Sequence, residues 1–395
     1  MSGMIRSIFI EADRDPETNA LHRSGQLSIP HNPEARPKVT SMWPRTDFLE
    51  LIGVTHPIIQ APMSGFATPA LAGAVCNAGG LGSIGCAGIP ATTVRDQVIA
   101  LRQATNSPYI LNFFVHACPR LDPDATARMQ ARLAPYFDEF GLGAVPEPKE
   151  LFPPFDEEQL ALVLELRPRV VSFHFGLPDA SAVRRLTEAG CIILSSATTV
   201  AEARWLEANG ADAVVAQGFE AGGHRGSFSD SPGAGMVGTM ALVPQIVDAV
   251  RLPVIAAGGI ADGRGLAAAF ALGASGAQLG TAFLGCPEAN VSPLHRAQLR
   301  GAVNDGTEVT RAFTGRPARA LRNRFITEMA DSEPLEFPLQ GSLLRRLWEL
   351  PSEVSRADFM PFWAGQAAPL NRELPAGQLI EKLVTEARSV LGASA

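Results

Sequence analysis

The chain has 395 residues, 46% hydrophobic and 18% charged, a globular mix long enough for one large domain or two smaller ones. A formal net charge of −7 and a pI of about 5.6 exclude the general positive field that nucleic acid binding needs. No uninterrupted apolar run is long enough for a membrane-spanning helix.

Residues 1–43 are polar and proline-bearing, with no sustained period. They read as a loose extension, with Met42 as an alternative start. The opening "MSGMIRSIFIEADRDPET" has too short an apolar core for a signal peptide, and its acidic residues argue against a transit peptide. Cys76, Cys86, Cys118, Cys191 and Cys286 are scattered singly, without CxxC. They read as buried thiols in a reducing compartment, so a cytoplasmic location is expected.

From residue 46 onward short apolar runs recur, each followed by a stretch of helical period and a Gly or Pro break. The runs lie at 57–63, 81–87, 109–115, 170–176, 191–196, 213–218, 253–259 and 276–284. Between them stand helix candidates such as "DASAVRRLTEAG" and "TVAEARWLEANG", each ending near glycine. Apolar strands alternating with such helices predict a parallel sheet covered on its faces. Eight units predict a closed (β/α)8 TIM barrel over 44–284, not an open doubly wound sheet. Residues 116–158 form an insertion with an amphipathic helix, and 285–395 a mostly helical tail. Both are expected to pack over the C-terminal mouth of the barrel as a smaller lobe.

The three lysines are Lys38, Lys149 and Lys382, so none lies between 150 and 381. That excludes lysine Schiff-base chemistry from the middle of the barrel.

Active sites of such barrels form at the C-terminal ends of the strands, and that rule sorts the polar residues. The first strand ends in "QAPMSG", with Gln60, Met63 and Gly65. The third carries Asn112, the fourth His174, and the sixth ends at Gln217 and opens the loop to His224. The last two close with Gly258 and Gly259, and with Gly280 and Thr281. Glycines after the seventh and eighth strands mark the usual phosphate site of the fold, where backbone N–H groups serve without lysine. Glycine in a tight βα turn is the plainer explanation of any one of them. Asn112 and Gln217 offer amide donors and acceptors suited to a flavin edge. No HxH, HExxH or spaced acidic pair points to a metal.

His174, between Phe173 and Phe175, faces either the pocket or the core. His224 is expected on a mobile glycine-rich loop above the barrel, as an imidazole suited to accept a proton. Arg225 beside it either holds an anion or faces solvent. The arginines of 311–324 (Arg311, Arg316, Arg319, Arg322, Arg324) grip a phosphate or dinucleotide tail, or form a salt-bridged docking surface, the commoner use.

Taken in order, "QAPMSG", "ILNFF", "SFHFGLP", "AQGFEAGGHRGSF", "AAGGIADGRG", "GAQLGTAFL", "FTGRPARALRNRF" and "FWAGQAA" resemble the nitronate monooxygenases of the class that uses FMN alone. The resemblance covers residue 46 to the end. It implies a TIM barrel that binds FMN and oxidises alkyl nitronates with dioxygen to a carbonyl compound and nitrite. It carries FMN contacts onto Met63, Asn112, Gln217, Gly222, Gly259, Gln278, Gly280 and Thr281. It makes His224 the base, His174 a second histidine near the flavin, and Gln366 a residue within reach of the pocket. The partners are a small nitronate and dioxygen, with a homodimer left open. This chain departs from the resemblance in one respect. Such enzymes tend to place tyrosines and a lysine in the substrate pocket, and here the tyrosines are Tyr109 and Tyr136. Two rival readings remain: an FMN barrel reducing quinones or enoyl thioesters with NAD(P)H, and a non-catalytic barrel that binds a flavin or another phosphate ligand.

Overall fold

The computed structural model describes residues 43–228 and 235–392. The expected N-terminal extension lies outside them, except for Trp43, which is buried against Phe270 and His56.

Eleven strands form among the described residues: β1 Ile58–Gln60, β2 Gly82–Gly85, β3 Tyr109–Phe114, β4 Val170–His174, β5 Ile192–Ala197, β6 Ala213–Gln217, β7 Gly223–His224, β8 Val254–Ala257, β9 Gly276–Leu279, β10 Thr307–Thr310 and β11 Ala318–Leu321. Eight of them fall on the eight apolar runs, β5 reaching one residue past its run, and pair in parallel in the order β1-β9-β8-β6-β5-β4-β3-β2. A bridge between Ile59 and Leu81 links β1 to β2 and completes the ring. The fold is the (β/α)8 TIM barrel that the alternation predicts.

Alternation along each strand divides the side chains into two layers. Leu111, Val171, Ile193 and Val214 point outward to the helices. Ile59, Ile110, Val170, Ile192, Ala213 and Ile255 point inward and fill the lower barrel together with Phe48 and Ile52 of the helix Asp47–Ile52. The floor beneath the site is therefore solid hydrocarbon.

The insertion and the tail build a second apolar cluster. Met129, Leu133, Tyr136 and Phe137 of the helix Pro123–Glu139 meet Phe313, Phe325, Leu343, Leu347 and Phe359 of the tail. Arg324 ties the two segments, donating to both carboxylate oxygens of Glu139 at 2.8 Å and to Glu328 at 2.9 Å. The tail also holds β10 and β11, which its mostly helical pattern does not announce. Its last helix, Ala376–Leu391, departs from the lobe. It packs on the barrel helices Gly263–Ala271 and Pro69–Asn77 and so completes the outer ring.

Leu383, fully buried on that helix, tests its structural weight. Leu383→Ala is expected to cost about 2–5 kcal/mol. Val390→Ala, at a position 56% exposed on the same helix, should change stability by less than about 0.5 kcal/mol. Urea melts of the two variants check the contrast, and equal midpoints would deny the helix its place in the core.

Candidate active site

Above the hydrocarbon floor the inward positions turn polar. Two residues beyond Ile110 and Val170 stand Asn112 and Ser172, and two further on Phe114 and His174; Ser196 and Gln217 hold the same upper level on β5 and β6. They wall a cavity of about 280 Å³ at the C-terminal ends of the strands. Met63, Asn112, His174, Gln217, Gly222, His224, Gly259, Gln278, Gly280 and Thr281 all line it. Gln60, Gly65 and Gln366 are not in the wall. The Gln60 amide is spent on Ser83, and Gln366 is exposed, offering its backbone N–H to the Glu220 carbonyl at 2.9 Å.

One side of the cavity is backbone. Gly258 and Gly259 have φ of 104° and 72°, a region that glycine enters without penalty. A Cβ on Gly258 would lie 2.9 Å from the Ala221 nitrogen, and one on Gly222 would lie 2.5 Å from that of Gly365. The N–H groups of Gly259 and Gly280 meet no acceptor among the described residues. The Thr281 hydroxyl oxygen accepts from Gly365 N at 2.9 Å. Asn112 donates to the Ser172 hydroxyl at 2.8 Å, and its side-chain Oδ1 makes no hydrogen bond among the described residues. The Gln278 amide makes no hydrogen bond among the described residues.

The other side is built around His224, and it corrects the expectation of a mobile loop. Gly223 and His224 form β7, which pairs antiparallel with Arg319 and Ala318 of β11. The His224 carbonyl also accepts from Gln217 Nε2 at 3.0 Å and from His174 Nε2 at 3.2 Å. Gln217 Oε1 accepts from Gly226 N at 2.7 Å, so both ends of the Gln217 amide serve the loop. His174 Nδ1 lies 3.0 Å from the Ser196 hydroxyl, which engages both of its nitrogens. His224 Nε2 lies 3.0 Å from Thr314 Oγ1, and its ring packs against Phe114, Phe337 and Trp363.

Arg225 neither faces solvent nor lines the cavity. It is 1% exposed and donates to the carbonyls of Gln217, Gly218 and Gly235, clasping the loop from below. The other arginines of the tail act as docking groups. Arg316 stacks 3.8 Å over Phe175, Arg319 lies 4.5 Å over Phe219, and Arg322 pairs with Glu308.

Some wall residues escaped the sequence. Ser172 and Ser196 are the inward neighbours of Asn112 and His174, so the period of two was the available signal. Trp363 stood within the quoted "FWAGQAA", and it reaches the cavity because it bridges to Ala320 of β11. Glu220 also lines the cavity, with its carboxylate bonded to Thr239 N and Oγ1. Neither tyrosine lines it; Phe114, Phe152 and Trp363 do. Cys118 is exposed, against the expectation of burial, while the other four cysteines are buried. Burial pushes the thiols of Cys76, Cys86 and Cys286 up to between about 11 and about 12, unsuited to nucleophilic attack at neutral pH.

Burial, with the neighbouring His174, Arg316 and His116, brings His224 down to about 3. Burial, followed by Arg316 and Arg225, brings His174 down to about 4 despite its bond to the His224 carbonyl. Both imidazoles are neutral at pH 7. The unfolded chain takes up these protons near pH 6.5, well above the folded protein. The stabilisation is therefore complete above about pH 6.5 and is lost as pH falls toward 4. Urea midpoints should hold steady from about pH 8 to 7 and fall below 6.5, with a shallower fall for His174→Gln. Identical slopes in the two proteins would contradict the burial of a neutral His174.

The family model described as nitronate monooxygenase matches residues 45–386. A nitronate monooxygenase of Paraburkholderia phytofirmans is 43% identical over 86% of this chain and 94% of its own length. One from Pseudomonas aeruginosa is 44% identical over 86% of this chain and 99% of its own. Among solved structures, the nitroalkane oxidase from Streptomyces ansochromogenes is 39% identical, with a TM-score of 0.80 over 88% of this chain and 99% of that one. FabK from Thermotoga maritima is 32% identical, with a TM-score of 0.67 over 87% and 96%. Matched nearly end to end by the family model and by such relatives, the chain belongs to the nitronate monooxygenase family, a family of oxidoreductases.

Proposed function

We propose that this chain binds FMN in the cavity and oxidises alkyl nitronates with dioxygen to a carbonyl compound and nitrite, with His224 as the base that admits neutral nitroalkanes. The observation that carries the reading is the two-sided cavity. A backbone cradle with unpartnered N–H groups faces a neutral histidine across the barrel.

The residues fit the cofactor. Gly259 and Gly280 present N–H groups to a phosphate, with Gly222 and Thr281 beside them. The Asn112 side-chain carbonyl and the Gln278 amide would supply an acceptor and both kinds of group for a heterocycle edge, and Met63, in the loop after β1, lines the same cavity. When bound, FMN supplies the transfer of electrons from the substrate carbon to dioxygen.

The protein's own part is binding and proton handling. A nitronate already carries the charge of a carbanion, so the residues need only orient it. A neutral nitroalkane must first lose its α-proton, and His224, uncharged at pH 7, accepts it. His174 holds the His224 carbonyl and supports the base without replacing it. Phe114, Phe152 and Trp363 give an apolar wall, in keeping with the departure from the tyrosines and lysine of the family pattern. Short alkyl nitronates are accordingly the favoured substrates, in a cytoplasmic setting.

The first test is a visible spectrum of the purified protein before and after anaerobic addition of ethyl nitronate. A flavin spectrum that bleaches or shifts supports the reading. A flavin reduced by NADH and indifferent to nitronate would replace it with the quinone or enoyl-thioester reductase. A protein that takes up no FMN would end both.

Two substitutions sharpen it. His224→Asn should lower kcat/KM on neutral nitroethane roughly 10²-fold or more, and far less on preformed ethyl nitronate. Equal losses on the two substrates would remove the base role. Gly259→Leu, at a φ of 72° beside the cradle, should abolish flavin retention. A yellow, fully loaded variant would place the phosphate elsewhere.

A further inference from the structure

A base needs a defined lone pair as well as a position, and a neutral imidazole has one on either nitrogen. For His224 the choice is made by the one hydrogen bond its ring makes among the described residues, between Nε2 and Thr314 Oγ1 at 3.0 Å. The Thr314 hydroxyl has a single proton, and it lies 3.3 Å from the Arg316 carbonyl, which can only accept. With that proton directed to Arg316, Thr314 Oγ1 accepts from His224 Nε2–H. Nδ1 then holds the lone pair, and it makes no hydrogen bond among the described residues.

Thr314 is itself held firmly. It is 7% exposed, at the tip of the β10–β11 hairpin. The next residue, Gly315, donates to the Arg311 carbonyl at 2.8 Å and accepts from Arg311 Nε at 3.1 Å. A Cβ there would lie 2.1 Å from the Leu335 carbonyl oxygen, so the tip is wedged against the lobe. The same hairpin contributes β11, which pairs with His224 itself. One element thus fixes both the backbone and the ring of the histidine.

We propose that Thr314 is the positioning residue that sets the tautomer of His224, leaving Nδ1 as the atom that takes the substrate proton. The inference rests on the reading of His224 as base. In the step, the α C–H bond of the nitroalkane breaks and its proton goes to Nδ1. The electron pair moves into the nitro group and gives the nitronate, with no oxidant required. Thr314 touches neither substrate nor cofactor and acts through the ring.

Nitrogen-15 spectra of histidine-labelled protein, with the His224 signals assigned by their loss in His224→Asn, read the tautomer directly. The expected result is a protonated Nε2 and a bare Nδ1, in the wild type and in Thr314→Ser alike. Thr314→Val should lose that preference and lower kcat on nitroethane by roughly 10²-fold. Its KM and its turnover of preformed ethyl nitronate should stay close to the wild type, and Thr314→Ser should restore kcat. A bare Nε2 in the wild type overturns the proposal, and that spectrum needs no folded variant. So does a Thr314→Val protein that oxidises nitroethane normally while His224→Asn does not. If His224→Asn itself oxidises nitroethane normally, the base reading falls and takes this inference with it.

Discussion

The site depends on one backbone carbonyl. The oxygen of His224 accepts from Gln217 on β6 and His174 on β4, while the same residue pairs with Ala318 on β11. Its segment begins with Gly222 and Gly223, two residues with the widest backbone freedom of any. Left alone, such a loop would sample many conformations and present the imidazole in few of them. Bonds from two barrel strands and one tail strand remove that freedom. The tail is therefore part of the wall of the cavity, because the strand that fixes His224 comes from it.

Electrostatics follow from the same packing. His116, His174 and His224 cluster with Phe114, Phe175 and Phe337, and the Arg316 cation acts on all three. Burial among rings and beside a cation penalises imidazolium twice, so the cluster is neutral. Neither Arg225 nor Arg316 is neutralised by a salt bridge among the described residues. Arg225 is solvated by carbonyl oxygens, while Arg316 stacks on a ring and donates to the Ser227 carbonyl. Glu220, a carboxylate in the wall, is occupied with Thr239. The balance favours an anion, which describes both a phosphate and a nitronate. It also bears on His224: an imidazole of such low proton affinity takes a proton more readily once an anion lies beside it.

The barrel was legible because its strands are continuous apolar runs, and period and length mark them whatever the contacts. The cavity was legible because the fold puts strand ends at the mouth: Met63, Asn112, His174, Gln217, Gly259, Gly280 and Thr281 line it, while Gln60 and Gly65, marked by the same rule, do not. What stayed hidden depends on contacts distant in sequence. Nothing near "GGHRG" reveals that residues 318–319 will pair with it, so a strand read as a mobile loop. Arg225 looked like a surface or ligand cation because the carbonyls that solvate it are arranged only by the folded loop. Gln366 resembled a pocket residue by motif, yet in a turn the side chain of a neighbour reaches inward instead. The last helix read as tail because the chain leaves the barrel for some ninety residues before returning to complete it.

One local strain remains in "SFHFG". Phe175 has a φ of 74°, a conformation that costs a bulky residue about 1–3 kcal/mol. The following Gly176, at 106°, continues the turn without such a cost, and its carbonyl accepts from Ser195 Oγ at 2.7 Å. The reversal sends the Phe175 ring back toward the strand it has just left. There it lies 4.5 Å from the His174 ring and 3.8 Å beneath the Arg316 guanidinium. A residue in ordinary extended geometry would carry its side chain to the outer layer, with Phe173. The strained backbone therefore places an aromatic face between a histidine that must stay neutral and a cation that must stay charged. Stability given up at one residue is the source of the apolar screen around the imidazoles, and that screen keeps them neutral.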